Sequence, residues 1–308
     1  MEREDLQRVV QKIAPGGRLI RNTRLHGGIA SIVHRLDVQR VDGTRTAVAL
    51  RYSAPGGDHA HVTPEKASYE FKVLNTLRGT DLPTPEPVLL DAEGELLGVT
   101  AVVASYIPGK PRFGEDAAYM RAIARALASV HAVTPTTHDL TGLRVRRREE
   151  LRERVADIAA TDPYARRLHS AFSQAVESLN LAPPSLVHGD FWAGNVIWSR
   201  RRVSGIIDWG GCYVGDHRAD VAEFRIDLTI RYGPDAADSF RTAYEQVTGQ
   251  PLQDPWFFDL WRGGNAYAEC EEWLEGLWAL GLTHLTATVI RRRLKTFLDR
   301  ALRARPSA

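Results

Sequence analysis

Cysteine is scarce. Only Cys212 and Cys270 occur in 308 residues. Two thiols make no disulfide framework, and these two lack the spacing of a metal site, so a reducing cytoplasm is the expected compartment. No apolar run approaches the roughly 20 residues that span a bilayer. The opening MEREDLQRVVQK has no apolar signal core. No membrane partner is therefore expected. The net charge is only +2, which gives no general pull toward nucleic acid. There is no internal repeat and no long low-complexity segment. What is present, 44% hydrophobic and 25% charged residues, is ordinary for a globular protein that buries a sizeable core. The length exceeds a typical single domain, so two lobes are expected.

Chemistry concentrates between Leu186 and Asp220, in LVHGDFWAGNVIWSRRRVSGIIDWGGCYVGDHRAD. Ser185–Val187 is an apolar lead-in. Residues 195–198 and 205–207 read as two brief strands with a turn at 199–202. His188, Asp190, Asn195 and Asp208 stand at strand ends or in loops, where a rigid backbone can aim them. One carboxylate can orient or deprotonate a hydroxyl. An amide oxygen five residues on and a second carboxylate thirteen after that are hard oxygen donors suited to Mg²⁺. Phosphoryl transfer needs these parts: a base, metal ligands and positioning.

His188-Gly189-Asp190-Phe191-Trp192-Ala193-Gly194-Asn195 resembles the HGDxxxxN catalytic loop of the aminoglycoside phosphotransferase family, small-molecule kinases related to protein kinases. Ile207-Asp208-Trp209 resembles that family's metal-binding segment. Gly215-Asp216 and Asp220 resemble the GDxxxD that follows it. The resemblance implies an α+β, bilobal, protein-kinase-like fold. Residues 1–105 would form an N-terminal nucleotide-binding lobe, a small antiparallel sheet with one paired helix. Residues 106–308 would form a larger, mainly helical catalytic and acceptor-binding lobe. It implies Asp190 as base, His188 as a brace of the loop, Asn195 and Asp208 as Mg²⁺ ligands, and ATP or GTP as donor. Asp216 and Asp220 would tie the loop to helices.

Upstream, residues 4–13 read as an amphipathic helix with Leu6, Val9, Val10 and Ile13 on one face, stopped by Pro15-Gly16-Gly17. Residues 18–25 and 29–41 read as paired strands around His26-Gly27-Gly28. Glycines permit a tight turn and a close approach of backbone N–H to phosphate. A Gly-Gly between strands also serves as a plain hairpin turn. Beside the other kinase parts, Gly27, Gly28 and Ser31 are expected to cover the nucleotide phosphates. The next strand, 46–52, carries Arg51 where the kinase plan has Lys. An arginine stays charged and binds phosphate or carboxylate through two arms. A helix begins at Thr63-Pro64-Glu65, with Thr63 as N-cap. It presents Glu70, which matches the family's paired Glu, and it turns Phe71, Leu74 and Leu77 inward. After strands at 88–91 and 98–105, Ser105, Tyr106 and Ile107 occupy the expected hinge, where backbone would hydrogen-bond the base.

Helical periods dominate from Gly114. His131 closes the helix that starts at Ala117 and reads as structural. The charge-dense stretch 144–154 reads as a solvated helix face. Residues 164–180, 221–232, 236–248, 255–280 and 285–302 read as helices. Glu269, Glu271, Glu272 and Glu275 form an acidic cluster near Trp261, Tyr267, Trp273 and Trp278. The family's C-terminal helices wall the acceptor pocket, so Glu269, Glu272 and Trp273 are candidates for a cationic or sugar acceptor. Most of these aromatics also suit a core, with the acids facing water.

The expected activity is transfer of a γ-phosphoryl group to a small-molecule hydroxyl, foremost on an aminoglycoside or macrolide. A kinase for an amino sugar, sugar or choline-like amine, and a nucleotide-binding protein without phosphotransfer, stay open. A protein kinase is disfavoured by the missing HRD loop, the missing APE-like segment and the short link after Asp208.

Overall fold

A computed structural model of the chain describes residues 3–25, 32–53, 62–151 and 163–305. They form two compact units, Met1–Gly109 with Ser204–Gly210, and Lys110–Val203 with Gly211–Ala308.

The first unit is built on a five-stranded sheet of β1 (Arg18–Leu25), β2 (Ile32–Gln39), β3 (Arg45–Tyr52), β4 (Pro87–Asp91) and β5 (Ala101–Ser105), ordered β1-β2-β3-β5-β4. Every neighbouring pair is antiparallel. Helix α1 (Arg3–Ile13) buries Leu6, Val9 and Val10, the i, i+3, i+4 stripe that covers a core. They join Leu36, Val38, Val48, Leu50 and Tyr52 on one face of the sheet. Helix α2 (Pro64–Leu77) is capped by Thr63, whose side chain accepts from Lys66 N at 3.3 Å. Around α2, Ala67 and Phe71 pack with Val62, Leu90 and Val102. Strand β5 starts at Ala101, later than the pattern suggests, because Gly98 sits at φ +70° in a turn closed by its N–H on Gly94 O.

The second unit is mainly helical, with α3 (Ala117–His131), α4 (Pro163–Ala175), α5 (Arg218–Arg231), α6 (Pro234–Thr248), α7 (Pro255–Glu269), α8 (Leu274–Ala279) and α9 (Ala287–Ala304). Every residue of α5 except Glu223 is buried. A helix covered all round is the hub of its unit, and α6, α7 and α9 pack on it. Short strands frame the loops: β7 (Ser185–Val187) pairs antiparallel with β10 (Tyr213–Gly215), and β6 (Lys110–Pro111) with β8 (Val196–Ser199). Strand β9 (Arg202–Ile206) carries the chain from the second unit back into the first.

Three features depart from the sequence pattern. One helix was expected over 255–280, but α7 and α8 are separated by a turn with i to i−3 bonds, Glu272 N on Glu269 O and Leu274 N on Glu271 O. Trp278 Nε1 donates to Leu285 O at 2.8 Å and Arg291 pairs with Glu271 at 2.6 Å, which draws α8 back toward α9. The first unit runs on to Gly109 and takes in Ser204–Gly210. Ile206 N donates to Pro83 O at 2.9 Å and Ser204 Oγ to Pro108 O at 3.1 Å, anchoring that late segment. Finally, Arg148 in the charge-dense stretch is half-buried, while Arg144, Arg147 and Glu149 are exposed as expected. Arg148 donates to the carbonyls of Val176 and Leu179. Residues 152–154 of that stretch lie outside the described residues. Among the described residues, no helix is long and apolar enough to cross a membrane.

Candidate active site

Strand β3 places Arg51 on the sheet face opposite α1. There it forms an ion pair with Glu70 of α2, a carboxylate only 6% exposed. Its Nη1 also lies 3.3 Å from Asp208 Oδ1. One guanidinium therefore bridges two carboxylates, which the two-armed geometry of arginine permits. Asp208 follows β9 with φ +64°, a left-handed conformation that aspartate tolerates better than most residues. Buried Trp209 pins this turn, donating from Nε1 to Ile206 O at 2.9 Å.

In the second unit the chain leaves β7 directly into His188-Gly189-Asp190. Asp220 of α5 accepts from the N–H of His188 at 2.6 Å and of Gly189 at 2.8 Å. His131 of α3 closes on the same carboxylate, Nε2 to Oδ2 at 3.2 Å, and its Nδ1 meets Tyr244 Oη at 2.8 Å. Burial works to raise the pKa of Asp220. The hydrogen bond with His131, the fields of His131 and His188 and the Gly189 N–H outweigh it and hold the carboxyl below its ordinary range. Gly189 sits at φ +83°, and a Cβ there would lie 2.1 Å from Gly211 O. Only glycine fits.

Asp190 N donates to His188 Nδ1 at 3.3 Å. Asn195 Nδ2 donates to Asp190 O at 2.9 Å and to Asp190 Oδ2 at 3.0 Å. Its amide nitrogen is thus committed to the aspartate, and Oδ1 is the atom it can offer a cation. Asp208, with a side chain 44% exposed, supplies a carboxylate. Each taken by itself is a hard oxygen donor of the kind Mg²⁺ prefers. Among the described residues, no cluster of three or more His, Cys, Asp or Glu forms a ready-made metal cage. The loop's far end is also held: Ala193 N donates to Asp227 Oδ2 at 3.0 Å, and Asp227 pairs with Arg231.

Sequence reasoning missed Arg262 and Glu223. Arg262 of α7 donates from Nη2 to Gly189 O at 3.1 Å and forms an ion pair with Glu223 of α5. The peptide unit before Asp190 is therefore gripped on both sides. Burial pushes the Glu223 carboxyl up, and Arg262 only partly counters this. The available signal was a lone arginine inside the aromatic and glycine-rich WFFDLWRGGNAY, since a charge in an apolar helix needs a partner.

The remaining expected residues divide. Gly27, Gly28 and Ser31 lie outside the described residues. At the position expected for a hinge, Ser105 N donates to Glu86 O and Tyr106 N to Ala47 O, at 2.8 and 3.1 Å. Glu269 and Glu272, at the end of α7 and in the turn after it, are exposed. Trp273 is half-buried against the helical core. Burial and the like charge of Glu272 raise the Glu269 pKa, while Arg262 lowers it. Glu269 thus lies within the field of the arginine that holds the loop.

The model of the phosphotransferase enzyme family known as APH matches residues 29–280. The chain belongs to this family. Solved structures with the same fold include a putative aminoglycoside phosphotransferase from Ralstonia eutropha JMP134, at 18% identity and TM-score 0.67 over 98% of this chain and 97% of that one. Macrolide 2'-phosphotransferase MphH from Brachybacterium faecium shows 19% identity and TM-score 0.62, over 99% and 100%. A thermostable mutant of aminoglycoside phosphotransferase APH(4)-Ia, in a ternary complex with AMP-PNP and hygromycin B, shows 16% identity and TM-score 0.64, over 96% and 98%. Among curated proteins, a probable acyl-CoA dehydrogenase, IBR3 of Arabidopsis thaliana, is 29% identical in an alignment of 181 residues that covers 50% of this chain. That match spans 22% of the dehydrogenase's length. This phosphotransferase-family chain therefore shares its fold with aminoglycoside and macrolide phosphotransferases.

Proposed function

We propose that this protein is a small-molecule kinase that moves the γ-phosphoryl group of ATP or GTP to a hydroxyl of an aminoglycoside- or macrolide-type antibiotic. The observation that carries this is Asp190. Its backbone is held through Asp220 and Arg262, and its carboxylate is oriented by Asn195 Nδ2 at 3.0 Å. As the acceptor oxygen bonds to the γ-phosphorus, its proton passes to the Asp190 carboxylate. The bond from that phosphorus to the bridging oxygen breaks, and its electron pair leaves with the diphosphate. Arg51, steadied by Glu70, neutralises phosphate charge. Asn195 and Asp208 would hold Mg²⁺, which when bound offsets negative charge on the phosphate oxygens. Most of the acceleration is positional and electrostatic.

Glu269 and Glu272 offer carboxylates to the ammonium groups of an acceptor, and the Trp273 ring offers a face to a sugar or cation. The relatives solved with hygromycin B or described as macrolide phosphotransferases support this acceptor class. Amino sugars and choline-like amines suit the same acidic pair and belong in the same screen. The reaction is assigned to the cytoplasm, where the nucleotide is made.

The test is a mass-spectrometric screen of the purified protein with Mg²⁺, ATP or GTP, and pools of aminoglycosides, macrolides, amino sugars and cationic amines. Asp190→Asn runs alongside. A product 80 Da heavier, about the mass of one phosphoryl group added by the transfer, is expected with the wild type only. An Asp190→Asn protein with near-normal turnover would overturn the assignment of the base.

A further inference from the structure

The open face of the sheet carries an arginine where a base would rest. Strand register places Arg35 of β2 opposite Ala49 of β3, which stands opposite Ala104 of β5. One row along, Asp37 stands opposite Ala47, whose carbonyl accepts from Tyr106 N. Directly opposed residues in antiparallel strands share a face. Arg35, Asp37, Ala47, Ala49 and Arg51 therefore point the same way, away from α1. Burial agrees, since all five are half-buried while the intervening Leu36, Val48 and Leu50 are at most 4% exposed. Among the described residues, α2 meets this face near Val102 and Leu90 and, through Glu70, at Arg51, the end away from Arg35.

Two alanine side chains in a row on β3 leave a shallow apolar floor. On one side of it the Arg35 guanidinium lies 4.5 Å over the centre of the Tyr106 ring. Its Nε and Nη2 both donate to Asp37 Oδ1, at 2.9 and 2.6 Å. An exposed arginine ordinarily extends into water. This one is held by a carboxylate two residues on, with the Tyr106 ring on its other side. Its outer side is a planar, weakly hydrated cation, the surface on which an aromatic heterocycle stacks. Arg51 lies two residues along β3 from Ala49, roughly 7 Å away, which sets the base at the Ala47–Ala49 end and the phosphates at the other.

We propose that Arg35, backed by Tyr106 and held by Asp37, is the stacking platform for the nucleotide base. The proposal rests on the kinase reading above and adds a specificity-determining residue to it. A stacked guanidinium recognises the π-face, so ATP and GTP both bind and a donor without a base gains nothing.

The test is calorimetric titration of wild type, Arg35→Met and Arg35→Lys with ATP, GTP and inorganic tripolyphosphate, each with Mg²⁺. Arg35→Met should bind both nucleotides about tenfold more weakly, with tripolyphosphate within twofold of wild type. Arg35→Lys, which keeps the charge without the plane, should recover little. Tyr106→Leu should weaken nucleotides and Tyr106→Phe should not, a second pair of variants independent of the arginine. Unchanged or tighter nucleotide binding by Arg35→Met overturns the platform, and so does an equal loss for tripolyphosphate, which would make Arg35 a phosphate ligand. Wild-type protein that binds neither nucleotide removes the kinase reading itself, a result distinct from either.

Discussion

Arg262 donates to the carbonyl of Gly189 across 73 residues of sequence, at 3.1 Å. The same guanidinium neutralises Glu223. It thus couples the charge balance of the helical hub to the backbone that presents Asp190.

Arg262→Met leaves Glu223 without its cation and Gly189 O without its donor. Stability should fall by about 3–5 kcal/mol, the usual consequence of removing one partner of a buried pair. Adding Glu223→Gln should recover part of that. Turnover should fall about tenfold with nucleotide affinity kept. Thermal melts, nucleotide titration and steady-state kinetics on the screened acceptor check each point, and unchanged melts would remove the arginine's structural role.

Gly189→Ala asks for a Cβ 2.1 Å from Gly211 O at φ +83°. The loop must move to accommodate it, and a shift near 1 Å costs roughly 100-fold in rate. Single-turnover kinetics should show the loss in the chemical step. Activity within threefold of wild type would mean the loop tolerates what this geometry forbids.

Arg51→Met strands Glu70, which is 6% exposed, and removes the partner of Asp208. Both nucleotide affinity and melting temperature should drop, the latter by the equivalent of about 3–5 kcal/mol. Arg51→Lys should restore part of the affinity but less of the stability, because an ammonium lacks the fork that bridges two carboxylates. Equal behaviour of the two variants would show that only charge matters here.

His217 precedes α5, and burial, then the neighbouring His131, push its pKa down to about 4 against an ordinary 6.5. Asp216 and Asp220 oppose the shift. The folded state therefore holds this ring neutral while the unfolded chain protonates it. Stability from this source is intact above pH 6.5 and is lost as pH falls toward 4, about 2 kcal/mol of it by pH 5. Urea unfolding at pH 7 and pH 5 should show a smaller acid loss in His217→Gln than in wild type. Equal losses would place the ring in a more solvated setting.

Much of the local structure was legible in the chain. The apolar spacing of Leu6, Val9 and Val10 marks α1, and Thr63-Pro64 marks the start of α2 with its N-cap. The short strands around His188 and Asp208 also fall where apolar runs suggest. What escaped was the break between α7 and α8. The sequence there has no proline and keeps its helical period, and the turn is enforced by Trp278 and Arg291 reaching toward other segments.

The sequence by itself determined the order and type of the chemistry-bearing residues, His188, Asp190, Asn195 and Asp208, and the elements that hold them. Hydrogen bonds from residue to nearby residue and side-chain period act over a few positions, so they can be read along the chain. Only the tertiary structure decided which charges are buried and what they serve. Asp220 reaches His188 over 32 residues, His131 reaches Asp220 over 89, and Arg262 reaches Gly189 over 73. A helical period says which residues share a face, but not which helix that face will meet. That is set by long-range packing, where an unpaired buried charge is too costly to survive and each one must find its partner.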